Sequence, residues 1–434
     1  MSRSTASILS EPLKLPCGVT LPNRLVKGAM TEMIADNRAR ATQDHVALYR
    51  RWAKNGPGLM LTGNVQVDYR NIEHPGNVVI QGKQDAEQLA RLRHWAAAAK
   101  ETGNHVWMQI AHAGRQSHRF VSRHPKAPSA IPLSIPGIKF GTPVALTHDE
   151  IIDLIARFAD AAAVARETGF DGVQLHGAHG YLFSQFLSPL SNRRDDDWGG
   201  DLAARARFLI ETVKAIRAKV GADYPIGIKL NSADFQRGGF SFEDSQIVAG
   251  WLDAASIDLI EISGGTYEQP SMTGAESEYG GNAPMVSKAS QARESYFASF
   301  GPEMRKHLKQ AKMMVTGGFR TAQGMADAIA NDGFDLIGLA RPLCVAPDAP
   351  AALLRGDPVD LTQPDLRFGP GLFGPKSSIK LIRTLTSAGS ATWYNEQIMR
   401  LVAGHDPDPK LGFLGAFVSS QRRDARMAKA LTTA

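Results

Sequence analysis

Cysteine is nearly missing from this sequence: Cys17 and Cys344 are the only two in the chain. Two thiols so far apart build neither a disulfide framework nor a four-thiolate iron–sulfur cluster, so redox chemistry here has to use a cofactor carried in from outside. Long apolar runs are missing too. Nothing approaches the roughly 18 residues a membrane-spanning helix needs. The opening "MSRSTASILSEPLKLPCG" also lacks the apolar stretch of a signal peptide, and the expectation is a cytoplasmic protein away from membranes. A basic surface is lacking as well, although the formal charge is +6. From Arg367 onward there are ten Lys or Arg against four Asp or Glu, and the preceding residues balance at 39 against 39. The excess sits in the tail, where it reads as a solvated face, and no nucleic-acid partner is expected.

What is present is a repeated alternation. Eight short apolar runs have the length and bounds of buried strands: 24–30, 58–65, 105–111, 171–177, 225–231, 257–263, 312–318 and 334–340. Helical spacing fills the gaps. Its clearest case is "THDEIIDLIARFADAAAVARETG", where Thr147 and Glu150 form a capping box and Gly169 stops the helix. Eight such units in 434 residues predict the α/β class and a closed (β/α)8 TIM barrel, with an open doubly wound sheet as the alternative. "LKLPCGVTLPN" reads as an N-terminal hairpin that plugs the barrel's bottom. The division expected is 1–365 for the barrel and 366–434 for a C-terminal extension, with one helix in "SATWYNEQIMRLVAG" ending at Gly404. Trp393, Tyr394, Ile398 and Leu401 give that helix an apolar face for the barrel or a partner subunit, and a homo-oligomer is expected. The connections 113–146 and 264–289 are long enough to carry function.

Strand alternation locates a mouth. Val106, Met108 and Ile110 share one phase and Gln109 the other; Ile226, Ile228 and Leu230 oppose Lys229; Val173 and Leu175 oppose Gln174 and His176. Side chains of the second phase face the barrel axis, and catalytic groups in this architecture gather at the C-terminal strand ends. A single polar residue there is ordinarily satisfied by its neighbours; three in one phase at one end favour a site. After strands seven and eight, Gly317, Gly318 and Arg341 stand where barrels commonly bind a phosphate, although glycines in such places often only make turns. A phosphate there, with an amide and a cation across the mouth, suits a flat phosphorylated cofactor such as FMN. Zinc on His176 and His179 is the rival reading, but no third ligand is evident.

From "LPNRLVKGAMTE" to "FDLIGLARPL" the chain resembles the Old Yellow Enzyme family of flavin-dependent ene-reductases, most specifically through "HGAHGYLFSQFLSPLSNRRDDDWGG". The resemblance implies an FMN-dependent oxidoreductase that passes hydride from NAD(P)H to the C=C bond of an α,β-unsaturated carbonyl compound, with a small activated alkene as substrate. His176 and His179 would hydrogen-bond the substrate oxygen and Tyr181 would donate a proton. Ala29, Met30, Thr31, Asn64, Gln109 and Lys229 match flavin-contacting positions; Gly317, Gly318, Ala340 and Arg341 match the phosphate site. Two positions depart from the pattern: Lys229 stands where many members have arginine, and Asn64 replaces a small residue. Flavin-dependent dehydrogenation or demethylation on the same barrel, or a non-redox barrel enzyme, stay open alternatives.

Overall fold

The structure is a computed structural model that describes residues 4–135, 138–266, 268, 295, 297–369 and 379–431. Eight parallel strands form its centre: β1 (Leu25–Lys27), β2 (Leu59–Leu61), β3 (His105–Ala111), β4 (Gly172–Gly177), β5 (Ile226–Asn231), β6 (Leu259–Ser263), β7 (Lys312–Thr316) and β8 (Leu336–Leu339). Each pairs with the next, and β8 returns to β1 through Ile337 opposite Leu25, so the sheet closes on itself. All eight predicted strands exist, and the open-sheet alternative falls. Several end sooner than expected. β1 stops before Gly28 and β7 before Gly317, where the chain already turns toward the mouth.

Helices α1 (Gln43–Ala53), α2 (Ala86–Ala99), α3 (His148–Glu167), α4 (Leu202–Val220), α5 (Phe242–Ala254) and α6 (Ala322–Asn331) lie among those that follow the strands. Their starts obey local chemistry. Thr147 Oγ1 accepts from the Glu150 N–H at 3.2 Å while Glu150 Oε2 accepts from the Thr147 N–H at 2.9 Å, the reciprocal cap read from the sequence. Asp85, Asp201 and Thr321 cap α2, α4 and α6 with one half of that pattern, each side chain accepting from the backbone N–H three residues on.

The predicted hairpin pairs Leu13–Lys14 with Thr20–Leu21. Leu13, Leu15 and Leu21 pack with Leu59, Trp107, Leu259, Met314 and Leu336 from the strands. The Cys17 N–H donates to Asp258 Oδ1 at 2.8 Å, immediately before β6, so the hairpin closes the N-terminal end of the barrel. This leaves the opposite end for chemistry.

The extension departs from expectation by holding two helices rather than one: α7 (Lys380–Val402) and α8 (Phe413–Leu431). α7 packs on α1 and on the short helix Pro342–Val345 that follows β8. Trp393, Tyr394, Ile398 and Leu401 are all buried, against this chain's own barrel. Asn395 Nδ2 donates to the Glu32 carbonyl at 3.1 Å, and Asp424 of α8 lies 3.2 Å from His74 Nε2. Both helices therefore hold segments that lead into the mouth. Of the two long connections, 113–146 contains a 3-10 turn at Gly114–Gln116 and a small parallel pair, Lys126–Ala127 with Val144–Ala145; most of 264–289 lies outside the described residues.

Candidate active site

Inward-facing polar side chains form one layer at the C-terminal ends of the central strands. The register sets Gln109 of β3 opposite Gln174 of β4, and Lys229 of β5 opposite both His176 of β4 and Glu261 of β6. Gln109 Nε2 donates to Gln174 Oε1 at 2.6 Å, and Gln174 Nε2 to Glu261 Oε2 at 2.8 Å. Lys229 Nζ lies 2.9 Å from Glu261 Oε1, which also accepts from Thr316 Oγ1 at 2.6 Å. One buried carboxylate thus ties four strands together and aims the lysine. Glu261 was not singled out in the sequence, although "IDLIEIS" places it in the inward phase, opposite Ile260 and Ile262.

A second network is built where β4 ends. His179 and Gly180 both adopt positive φ, 61° and 79°, turning the chain so that Tyr181 becomes the residue before helix Leu182–Leu187. A left-handed histidine costs about 1 kcal/mol or more. The His179 N–H donates to Asn231 Oδ1 at 3.1 Å and helps hold that turn. At Gly180 a Cβ would lie 2.6 Å from Gln116 Oε1, so the close approach of the 113–146 connection also requires glycine. The turn sets the His176 ring 4.5 Å from the Tyr181 ring and 5.0 Å from His179, centre to centre.

His176 Nε2 lies 3.0 Å from His179 Nδ1, and His176 Nδ1 lies 2.8 Å from Asn64 Oδ1. Asn64 Nδ2 in turn donates to Glu73 Oε2 at 2.7 Å. The same carboxyl group accepts from Thr31 Oγ1 at 3.2 Å and from the Tyr181 hydroxyl. With Asn64 committed as a donor to the Glu73 carboxylate, its carbonyl faces His176 Nδ1, which must then carry the proton. His176 Nε2 accepts from His179 Nδ1–H, and His179 Nε2, 2.7 Å from Ser263 Oγ, accepts from that hydroxyl. Burial first, then the neighbouring His179 imidazole and the Lys229 ammonium, holds His176 well below its ordinary pKa. Burial first and then Lys229 pushes His179 down to about 3. Both rings are neutral near neutral pH.

Thr31, Asn64, His176, His179 and Tyr181 therefore share one network, joined by Glu73. Glu73 lies in the segment after β2, where no sequence signal marks it. Gln109 and Lys229 belong to the neighbouring Glu261 network. Ala29 and Met30 follow β1, half-buried, with Met30 Sδ 3.5 Å from Cys344 Sγ. Gly317, Gly318, Ala340 and Arg341 lie half-buried just past β7 and β8. The Arg341 guanidinium sits 5.9 Å from the Tyr394 ring of α7 and forms no ion pair among the described residues. Gly317 and Gly318 have φ of 105° and 87°, and a Cβ on Gly317 would meet nothing within 4 Å. The donor set suits FMN. It combines a guanidinium with no ion pair among the described residues, two glycines past β7 that bring backbone N–H groups to the same end of the barrel, and an amide and an ammonium on the barrel axis for the polar edge of a flavin ring. Among the described residues no cluster of three His, Cys, Asp or Glu could hold a metal ion, and no helix is long and apolar enough to cross a membrane.

A parallel eight-stranded barrel with a cation, an amide and an imidazole pair at its C-terminal mouth defines a cofactor-dependent barrel enzyme. The model of the NADH:flavin oxidoreductase / NADH oxidase family matches residues 9–358. The NADH-dependent flavin oxidoreductase iliE of Neonectria sp. (strain DH2) is 37% identical over 83% of this chain and 48% of its own length. The NADH-dependent flavin oxidoreductase iccE of Talaromyces variabilis is also 37% identical, over 80% of this chain and 86% of its own length. Among solved structures, a 2-naphthoyl-CoA reductase superposes with a TM-score of 0.72 at 27% identity, covering 81% of this chain and 53% of the other. The old yellow enzyme homologue from Zymomonas mobilis superposes at 0.67 and 23%, covering 82% and 94%, which speaks for the fold. The chain belongs to the NADH:flavin oxidoreductase / NADH oxidase family, the Old Yellow Enzyme family that its motifs resemble. It is an NAD(P)H-dependent flavin oxidoreductase with FMN and NAD(P)H as cofactors.

Proposed function

We propose that this oxidoreductase is an ene-reductase, saturating the C=C bond of small α,β-unsaturated carbonyl compounds. The observation that carries the reading is the convergence of His176, His179 and Tyr181 at one mouth, with the phenol beside the imidazole pair. Bound FMN supplies the hydride that passes from NAD(P)H to the β-carbon of the alkene. Gln109 and Lys229 hold the flavin ring, with Ala29, Met30, Thr31 and Asn64 lining it. Gly317, Gly318, Ala340 and Arg341 hold its phosphate. Lys229 keeps a positive charge where arginine is usual, without the planar fork.

The chain's own residues then act on the substrate. His179 Nδ1–H donates to the substrate oxygen once that oxygen replaces His176 Nε2 as its acceptor. His176 donates as a second partner when its proton sits on Nε2. Such donors stabilise the oxygen's developing negative charge and are worth about 10² to 10³ in rate. Tyr181 protonates the α-carbon, a positioned acid contributing about 10² to 10⁴. In the same reading residues 1–365 form the FMN-binding barrel and 366–434 the extension, and the enzyme works in the cytoplasm.

The test is an anaerobic pair of half-reactions followed by flavin absorbance: bleaching by NADH or NADPH, then recovery on adding 2-cyclohexenone. Recovery far faster than in buffer alone, with cyclohexanone as product, supports the reading. Bleaching without enone-driven recovery removes it in favour of another reaction on the same barrel.

A further inference from the structure

Among the described residues, Glu73 is the acidic group that touches both halves of the proton machinery. It accepts the Tyr181 hydroxyl, and through Asn64 it fixes which nitrogen of His176 carries a proton. As a carboxylate it commits the network the wrong way for turnover. The Tyr181 proton points at Glu73 rather than at substrate carbon, and His176 presents a bare Nε2. One added proton turns the second and weakens the first, because the remaining carbonyl oxygen of a neutral acid accepts the Tyr181 O–H less strongly than a carboxylate does. A Glu73 carboxylic acid has an O–H to donate, so Asn64 can turn its amide through a half-turn, accept from Glu73 with Oδ1 and donate to His176 Nδ1 with Nδ2. His176 then carries its proton on Nε2, facing the substrate oxygen.

We propose that Glu73 is a proton-carrying positioning residue whose acid form releases the Tyr181 hydroxyl toward the substrate and sets His176 as a donor. The proposal rests on the ene-reductase reading. The proton balance closes. After hydride reaches the β-carbon, the electron pair at the α-carbon takes the Tyr181 proton: one O–H bond breaks and one C–H bond forms. The phenolate takes the proton of the Glu73 carboxyl group once that group turns its O–H from Asn64 to Tyr181, and solvent returns one proton to the carboxylate.

Several described groups face this carboxyl group. Thr31 comes from the segment after β1, Asn64 from that after β2, and Tyr181 from that after β4. His176 stands behind Asn64, with Lys229 close enough to depress its pKa. His74, the next residue along the chain, is paired with Asp424 of α8. His118 is held below its ordinary pKa by burial and by His74, with Glu73 and Asp424 opposing.

Glu73→Gln keeps the shape and loses the transferable proton; Glu73→Asp keeps the proton and shortens the arm. The first measurement needs no substrate. The tyrosinate absorbance titration of the holoenzyme minus that of its Tyr181→Phe counterpart isolates Tyr181. In the Glu73→Gln background Tyr181 should ionise lower by about one pH unit or more, because a negative neighbour has been removed. The second is the rate of flavin recovery with 2-cyclohexenone against pH. The wild-type rate should fall as pH rises; Glu73→Gln should be about tenfold slower or more at the acid end and lack that fall, and Glu73→Asp should restore it. An unshifted Tyr181 titration overturns the proposal, and so does a Glu73→Gln rate profile equal to wild type. If the wild-type flavin is not reoxidised by the enone at all, the ene-reductase reading fails, and the titration alone decides the role of Glu73.

Discussion

Lys229 and Glu261 form an ion pair on the barrel axis, Nζ to Oε1 at 2.9 Å, with the lysine side chain 7% exposed and the glutamate 0%. A pair this buried is held by its mutual attraction and by the extra donors that Gln174 and Thr316 bring to the carboxylate. Removing one member strands the other charge in a low dielectric. Glu261→Ala should cost about 3 to 5 kcal/mol of stability. It should also loosen Lys229 and so weaken FMN binding. Denaturant melts and flavin content after dialysis measure the two effects; a stability equal to wild type would show that water reaches the lysine freely.

Tyr181→Phe separates the half-reactions. The ring still packs on His176, so FMN binding and reduction by NAD(P)H should change little. Recovery with 2-cyclohexenone should slow by about 10² to 10⁴, equivalent to roughly 3 to 5 kcal/mol of barrier. Reoxidation by O₂ needs no proton on carbon and should persist. Stopped-flow absorbance distinguishes these outcomes, and equal losses in both halves would assign the hydroxyl a structural role.

Arg341→Ala should weaken FMN retention without disturbing the fold. Its guanidinium has no carboxylate partner to strand among the described residues, and a charge-assisted bond to phosphate is worth about 1.5 to 3 kcal/mol, or roughly tenfold to a hundredfold in affinity. Fluorescence titration of apoprotein with FMN gives the number. Full retention would remove Arg341 from the phosphate site.

Trp393→Ala tests the extension. The indole is fully buried where α7 meets the barrel, and its Nε1–H donates to the Leu411 carbonyl at 2.9 Å. The expected loss is about 3 to 5 kcal/mol. Removing everything after Leu366 should lower the melting temperature and FMN retention together, since α7 packs beside Arg341 through Tyr394. Calorimetry and flavin content of the shortened chain check this, and unchanged values would make the extension dispensable to the barrel.

Acid should destabilise this protein before its carboxylates titrate. Burial pushes His45 down to about 3, and burial with Lys229 does the same to His179. Both folded values lie below the unfolded value of about 6.5, so the unfolded chain binds protons first as pH falls. Their contribution is complete above about pH 6.5 and declines toward about pH 3, by about 1.4 kcal/mol per pH unit for each histidine. Urea melts across this range should show the slope, and His45→Gln should reduce it by one proton's worth.

The barrel was legible because its signals are local. Eight apolar runs, capping residues such as Thr147 and a polar second phase in three strands each lie within a few residues of chain, and period alone separates inside from outside. The inward positions of His176, Gln109 and Lys229 were readable on those terms, and the turn at Gly317 and Gly318 by its position after β7. Glu261 was available to the same reasoning in "IDLIEIS" and was passed over. α8 carries no comparably local signal: "LGFLGAFVSSQRRDARMAKAL" opens with two glycines, and docking beside α7 and the His74 segment supports the helix. Glu73 is of another kind. Its partners Thr31, Asn64 and Tyr181 come from three different strand ends, and no spacing in the chain encodes their meeting. Sequence by itself determined the barrel and the polar residues that face its axis, because strand period is a property of neighbours. Only tertiary structure decided which carboxylate receives the Tyr181 hydroxyl and which nitrogen of His176 bears the proton, because hydrogen-bond direction depends on how separate loops converge in space.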